Sequence, residues 1–246
     1  MAEGRAPHRP SGPGHPLGRA VAGGGAQVSL LPVPPGSIAA IVTHLEKTAP
    51  PVAYPAPPRP GLHVRRVERP GLDWYRTLYR RIGEDWLWFS RAVMTDAQLA
   101  AVIHHPAVAV YALEAAGEDR GEAIGLLELD WRERPACEIV FFGLVPEAVG
   151  AGLGVWLMGE AQRLAFQEGG AERLWLHTCT LDHPNALPFY LARGFRAFKR
   201  EIEIAPDPRL FDDFRRSAAS HHPIIEPPGG IDRPDGDALP ERGVGP

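Results

Sequence analysis

Two periods of hydrophobic residues recur along the middle of this chain, and they separate strands from helices. From Leu62 onward the predicted order is β-α-α-β-β-β-α-β-α-β. The predicted strands cover residues 62–68, 108–114, 123–131, 138–145, 174–180 and 195–204. Because the later strands alternate with helices, part of the sheet should be parallel.

The helical segments carry start and stop signals as well as helical spacing. Pro70 opens the first helix, and Thr95 should cap the second, which runs to residue 103. A third helix follows a glycine-rich loop and should end at Gly169-Gly170. A short fourth helix is predicted over residues 185–193.

Proline and glycine mark the ends of the chain as different from its middle. Of the 27 prolines, 13 lie in residues 1–60 and 8 in residues 205–246. We therefore predict a disordered segment at 1–25 and one folded core of domain size at 61–205. Between them, residues 26–60 should form a short strand-helix extension, with a helix at 37–45, and a proline-rich linker. Residues 206–246 should be a polar, mostly disordered tail.

Charge and composition exclude several classes of function. The net charge of -4 gives no reason to expect a nucleic-acid partner, and no apolar run approaches the length of a membrane span. Two cysteines do not form a disulfide framework, and the N-terminus lacks a secretory signal, so we expect a cytoplasmic protein. The histidine pairs at 104–105 and 221–222 lack partners at metal-binding spacing, so no metal is predicted.

The glycine-rich loop is the strongest chemical signal. Gly150, Gly152 and Gly154 alternate between a strand and a helix, where unpaired backbone N–H groups and the helix dipole favour an anion such as phosphate. The glycines alternatively form only a tight turn. Val155-Trp156 excludes a nucleotide P-loop, which needs Lys and then Ser or Thr, and the G-x-G-x-G spacing disfavours a dinucleotide site.

Two segments together resemble one family. Residues 145–154, VPEAVGAGLG, resemble the acetyl-CoA loop of the GNAT superfamily of N-acetyltransferases, with Gly152 and Gly154 matching and Val149 replacing the usual Arg or Gln. Residues 185–195, NALPFYLARGF, are similar to the family's closing segment, where a helical Tyr precedes Gly-Phe. The run 177–184 resembles a bacterial subgroup of loosely defined substrate. The resemblance covers residues 62–204.

The resemblance implies an α/β fold with a mixed central sheet of about six to seven strands, flanked by about four helices. Its central strands should splay apart to admit the cofactor, and Gly143 and Pro146 suit that opening. The implied reaction moves acetyl from acetyl-CoA directly to a small-molecule or peptide amine. One alternative is a non-catalytic acyl-CoA-binding or regulatory module, and a nucleotide-binding oxidoreductase is disfavoured by the glycine spacing. The oligomeric state stays open.

Cofactor contacts are implied mainly through the backbone. Amides of the loop would hold the pyrophosphate, and the main chain at the strand end would pair with the pantetheine arm and polarise the carbonyl. His183 stands where many relatives have an Asn, and Asn185 lies two residues on. The implied contacts are Leu144, Val145, Val149, Gly150, Ala151, Gly152, Leu153, Gly154, Val155 and Asn185.

The resemblance also suggests an acid and a base. Tyr190 matches the family's general acid for the departing thiolate; alternatively it is a core tyrosine. Glu138 shares a strand face with apolar residues and is the predicted base; alternatively it is a carboxylate at an exposed strand end. Glu128, Asp130 and His177 are further candidates.

Specificity in this family lies over the first two helices. An aromatic cluster there could line the acceptor pocket, although aromatic residues at such density also form cores. The predicted lining is Tyr79, Trp86, Trp88 and Phe89.

Overall fold

The computed structural model describes residues 29–115 and 122–229. Within that part the strands are β1 (Ser37–Lys47), β2 (Leu62–Arg66), β3 (Val108–Ala115), β4 (Ala123–Asp130), β5 (Ala136–Leu144), β6 (Arg173–Cys179) and β7 (Arg196–Pro206). The helices are α1 (Leu72–Gly83), α2 (Asp96–Ile103), α3 (Leu153–Arg163), α4 (Ala186–Ala192) and α5 (Pro208–Phe211). A π-helical turn, Leu164–Glu168, extends α3.

These strands form one seven-stranded sheet in the order β2-β3-β4-β5-β6-β1-β7. Strands β5 and β6 are parallel, and every other neighbouring pair is antiparallel. The predicted mixed sheet is therefore confirmed. Helix α1 contacts one face of the sheet, through Tyr75 and Glu128, and α4 contacts the other face, through Phe142.

The helix predicted at residues 37–45 is wrong, because these residues form the strand β1. Nearly every residue of this stretch is small, apolar or β-branched, a pattern that fits a buried helix and a buried strand equally well. Long-range pairing decides between them: β1 bonds to β6 on one side and to β7 on the other. The extension is thus an interior strand of the sheet. Residues 29–34, which belong to a separate compact unit, have no regular structure, so the short strand predicted there is not found.

The tail contributes more structure than its composition predicts. Residues 207–229 include α5 and a buried ion pair between Asp207 and Arg209, at 2.6 Å. Phe214, Ala218 and Ala219 are buried in a second apolar cluster with Leu87 and others. Widely spaced apolar residues sufficed to anchor this segment. The predicted disorder at 1–25 and the end of the tail from 230 lie outside the described residues.

A charged network lies inside the main core, under the middle of the sheet. Glu128 on β4 is fully buried and accepts hydrogen bonds from the Tyr75 hydroxyl at 2.5 Å and from Arg91 Nη2 at 2.8 Å. Burial alone would lower the pKa of Arg91, but the charge of Glu128 raises it above its ordinary value. Burial and Glu128 together raise the pKa of Tyr75. Two fixed donors therefore hold the Glu128 carboxyl group in the core.

We expect Arg91→Ala to lower the free energy of unfolding by about 3–5 kcal/mol, because it leaves a buried carboxylate without its counter-charge. Urea denaturation measures this. Arg65→Ala removes a more exposed ion pair, with Glu114, and should cost less than about 1 kcal/mol. The double change Arg91→Met with Glu128→Leu should recover most of the stability lost in Arg91→Ala. Equal losses of stability in Arg91→Ala and Arg65→Ala would contradict the importance of the buried network.

Candidate active site

The site begins where two central strands separate. Parallel pairing of β5 with β6 runs from Ala136–Arg173 to Ile139–Leu176 and stops there, although both strands continue. On its other side β5 pairs Ile139 with Leu129 and Phe141 with Glu128, so Val140 is an extra, bulged residue. The predicted splay is confirmed, and the bulge lies at its closed end. We call this opening the fork.

Main-chain groups line the fork on the β5 side. The Val145 amide donates to the Ile124 carbonyl at 3.0 Å, and the Val145 carbonyl accepts from Ala148 at 2.9 Å. Both groups of Val145 are therefore already bonded within the protein. Antiparallel strands alternate the direction of their bonds, so Leu144 and Phe142 present theirs to the fork. Of the two predicted strand-end residues, Leu144 thus faces the fork with its main chain and Val145 does not. Phe142 was not among the predicted contacts, because the sequence did not reveal the phase of the alternation.

The glycine loop lies just beyond the end of β5. Gly150 and Gly152 adopt φ of 93° and 75°, in the left-handed region that favours glycine. The first bond of α3 runs from the Trp156 amide to the Gly152 carbonyl, at 3.3 Å, so the amides of residues 153–155 have no acceptor within the helix. The exposed Val149 side chain occupies one flank of the loop. This arrangement fits a bound phosphate group.

Tyr190 lies on α4 against the same strand. Its ring is buried among Phe142, Phe189 and Phe195, with centroid distances of 6.2, 5.6 and 6.2 Å. Burial, with a smaller effect of Asp182, raises the pKa of Tyr190 well above its usual value. The hydroxyl therefore stays protonated across the physiological pH range.

Asn185 sits at the N-terminal cap of α4, but its side chain makes no cap bond. Its backbone amide donates to His183 Nδ1 at 3.0 Å, which fixes the turn between β6 and α4. Both side chains are exposed. Asn185 is thus available at the surface near α4, as an accessible donor.

The four candidate bases differ in their surroundings. Glu138 is half-buried, and its Oε1 lies 3.3 Å from Nδ1 of His177, so the pair joins β5 to β6 at the closed end of the fork. Glu128 is held by the network described above. Asp130 is mostly buried and pairs with Arg132 at 2.6 Å. Glu138 and His177 are therefore the candidates adjacent to the fork.

Glu138 and Tyr190 approach the fork from opposite faces of the sheet. Glu138 lies opposite Asp130 of β4, on the sheet face that also carries Glu128 and that α1 covers. Phe142, which packs on Tyr190, points to the other face. Groups on the two sides can thus act on the two ends of one reacting bond.

The predicted aromatic lining divides into two pairs. Tyr79 is fully buried and its hydroxyl accepts the Arg91 amide at 3.3 Å, and Phe89 is buried in the second cluster. Trp88 packs beside Phe141 at the fork, with ring centroids 5.3 Å apart, and Trp86 meets His183 at 4.9 Å. Tyr79 and Phe89 are core residues, whereas Trp86 and Trp88 are half-buried near the site.

The family model for the acetyltransferase (GNAT) family matches residues 72–195, just over half of the chain. The chain belongs to the GNAT acetyltransferase family. Helices α1 and α2, the fork, the glycine loop and α4 all lie inside the matched range. Strand β1 and the tail lie outside it.

Several solved structures are similar to this chain at low identity. A functionally unknown conserved protein from Staphylococcus epidermidis is 13% identical, with a TM-score of 0.49, over 69% of this chain and 62% of its own. A GCN5-related N-acetyltransferase from Sphaerobacter thermophilus is 19% identical, with a TM-score of 0.47, over 67% and 50%. Mutant spermidine/spermine N-acetyltransferase from Vibrio cholerae is 21% identical, with a TM-score of 0.44, over 59% and 95%. This chain thus spans less than two thirds of the first two, and no curated protein sequence matches it.

The described residues contain neither a group of metal ligands nor a helix that could span a membrane. In residues 29–115 and 122–229, no three His, Cys, Asp or Glu side chains are grouped as metal ligands. No helix in this part of the chain is long and apolar enough to cross a membrane.

In this GNAT domain Trp88 closes one side of the fork through Asp182. The Asp182 carboxylate accepts hydrogen bonds from Thr178 Oγ1 and the Cys179 amide, both at 2.8 Å, and from Trp88 Nε1 at 3.2 Å. On the β5 side, a Cβ added at Gly143 would lie 2.9 Å from Trp88 Cη2. Gly143 therefore makes room for the indole, a reason that the sequence did not reveal.

We expect Asp182→Ala to lower the free energy of unfolding by about 1–3 kcal/mol, because three donors lose their acceptor. Urea denaturation followed by tryptophan fluorescence measures the loss. Asp213→Ala, at an exposed position of the tail, is the control and should leave stability unchanged. An unchanged midpoint for Asp182→Ala would show that these bonds do not hold Trp88.

Proposed function

We propose that this protein transfers an acetyl group from acetyl-CoA to an amine, by direct transfer in a ternary complex. The observation that carries the proposal is the fork, which has the glycine loop at its open end and Tyr190 on one face. The free cysteines Cys137 and Cys179 are compatible with a reducing cytoplasm, where we place the reaction. The acceptor is a small molecule or a peptide amine.

The residues present fit acetyl-CoA, which supplies an activated acyl thioester when bound. The orphan amides of α3 and the preceding loop, residues 150–155, would hold the pyrophosphate. Leu144 and Phe142 would offer their main-chain groups to the pantetheine arm, as an added strand would use them. An amide at this position would polarise the thioester carbonyl. Exposed Asn185 would contact the same molecule from the start of α4.

Glu138 is the proposed general base, with His177 holding its carboxylate toward the fork. Glu138 removes the proton from the acceptor ammonium or from the attacking amine, directly or through water, and the amine nitrogen forms a bond to the acetyl carbon. As the carbon–sulfur bond breaks, Tyr190 donates its proton to the thiolate. Burial raises the pKa of Tyr190, so its hydroxyl carries a proton at physiological pH.

The acceptor would approach from the face that carries Glu138 and Trp88. That face is opposite to α4 and Tyr190, so the acceptor and the leaving thiolate do not compete for one space. Half-buried Trp86 and Trp88 would bound the acceptor pocket. Tyr79 and Phe89 support it from the core.

An acyl-CoA-binding module without turnover is the second candidate. Val149, which cannot donate a side-chain hydrogen bond where Arg or Gln is usual in the family, favours it. Release of free thiol from acetyl-CoA across a panel of amines separates the two candidates. Acetyl-CoA binding without thiol release for any amine would support the module.

We expect Tyr190→Phe to lower kcat by roughly a hundredfold, the range of a single proton-transfer residue, with little change in acetyl-CoA affinity. The phenyl ring keeps the aromatic packing, so the change isolates the hydroxyl. Thiol release under saturating substrates measures kcat, and calorimetry measures affinity.

Tyr111→Phe is the matched control, since Tyr111 is another buried tyrosine, on β3. It should retain full turnover. If Tyr190→Phe is as active as the parent protein, Tyr190 has no part in the proton transfer.

We expect Val149→Arg to tighten acetyl-CoA binding by about tenfold, because the guanidinium adds a charge-assisted hydrogen bond to the phosphates. Isothermal titration calorimetry measures the dissociation constant. Val149→Leu keeps the apolar character and should change nothing. Weaker binding in Val149→Arg would mean that this flank of the loop does not face the phosphates.

A further inference from the structure

A proline-rich segment runs along the surface of α3. Residues 54–60, YPAPPRP, which we call the strap, connect the region after β1 to β2. Pro55 packs so closely on α3 that a Cβ added at Gly159 would lie 2.4 Å from its Cδ. At the helix start, Pro58 Cβ lies 3.8 Å from where a Cβ on Gly152 would be. The linker predicted from composition is therefore seated on the helix.

The strap runs antiparallel to α3, toward the helix N-terminus. The seven residues from Gly152 to Gly159 span about 10 Å of helix. A polyproline segment rises about 9 Å over three residues, so the chain from Pro55 to Pro58 is long enough to reach from one contact to the other. The spacing of the two contacts along α3 therefore fits the length of the strap between Pro55 and Pro58. Tyr54, the residue before Pro55, lies within the influence of Arg163, which is farther along α3. Burial raises the pKa of Tyr54, and the charge of Arg163 acts in the opposite direction.

Arg59 follows Pro58, the strap residue that lies next to the start of α3, at a bend in the chain. Its side chain is exposed, and within the described part of the chain it has neither a hydrogen bond nor an ion pair. Prolines on both sides restrict its backbone. Within the described residues Arg59 is thus an exposed cation without a partner, one residue away from the contact with the start of α3.

The nearby charges leave this position suited to an anion. Glu147, the acid of the loop, lies 3.5 Å from Arg81 in an ion pair. Arg193 is a further cation near the loop: it lies over the Phe189 ring, which is 3.9 Å from a Cβ added at Gly154. Arg193 and Arg59 are therefore on different flanks of the loop.

We infer that Arg59 binds the pyrophosphate of acetyl-CoA. From the strap, Arg59 supplies the cationic contact that Val149 cannot make. The inference rests on the proposed function, because it takes acetyl-CoA as the bound molecule. The strap and α3 then form the two sides of one phosphate site. A residue of the N-terminal extension, outside the range of the family model, completes a site built within it.

The test measures binding without turnover. Isothermal titration calorimetry with CoA and with dephospho-CoA, which keeps the pyrophosphate, is applied to the full chain and to Arg59→Ala. We expect Arg59→Ala to weaken both by about tenfold, since it loses a charge-assisted contact. Arg59→Lys should retain part of the affinity. Arg200→Ala, which removes another exposed arginine, on β7, is the matched control and should bind normally.

Each outcome is informative. If the parent protein binds neither ligand, the proposed function fails. If the parent binds and Arg59→Ala binds equally well, only the role of Arg59 fails. A loss restricted to CoA would assign Arg59 to the 3′-phosphate and overturn the pyrophosphate contact. An equal loss in Arg200→Ala, or a tenfold loss in Arg193→Ala alone, would also overturn it.

Two further variants test whether the strap positions Arg59. Gly159→Ala forces Pro55 away from α3, so it should weaken CoA binding and reduce the additional effect of Arg59→Ala to less than twofold. Val149→Arg supplies a guanidinium from the loop and should restore the affinity lost in Arg59→Ala. An unchanged tenfold effect of Arg59→Ala in the Gly159→Ala background would show that the packing of the strap is irrelevant.

Discussion

Parallel pairing between β5 and β6 ends at Ile139–Leu176, and the rest of the site depends on this early end. Backbone N–H and C=O groups inside a sheet normally bond to the next strand, because leaving them unpaired away from water is costly. The bulge at Val140 turns β5 away, and the Asp182–Trp88 bond spans the resulting gap. The main chain of the fork is thereby left available for a ligand with its own hydrogen-bonding groups.

Strand β1 stabilises β6 where β6 has separated from β5. Beyond Leu176, β6 has lost β5 as a neighbour, but His177 and Thr178 still pair with His44 and Thr43 of β1. The N-terminal extension therefore braces the far side of the fork. The same extension supplies the strap on α3, so the segment that composition set apart from the domain supports both ends of the site.

Two glutamates on one sheet face illustrate how surroundings assign roles. Glu128 is fully buried, and two donors hold its carboxyl group in place, which suits a structural ion pair. Glu138 is half-buried, and among the described residues its ion pair is with the titratable His177 across the fork. A carboxylate with partial access to water and a neighbour that can change charge is better suited to proton transfer. Their spacing along the chain contains none of this information.

Local patterns in the sequence determined the order of core elements, the glycine loop, the position of Tyr190 on a helix and the family. These features depend on residues close together in the chain, where periodicity and conformational preference act directly. Tertiary structure decided that residues 37–47 are a strand, that Phe142 rather than Val145 faces the fork, and that Tyr79 and Phe89 belong to the core. It also joined Glu138 to His177. Each of these depends on pairing between distant segments, whose register and facing no local pattern encodes.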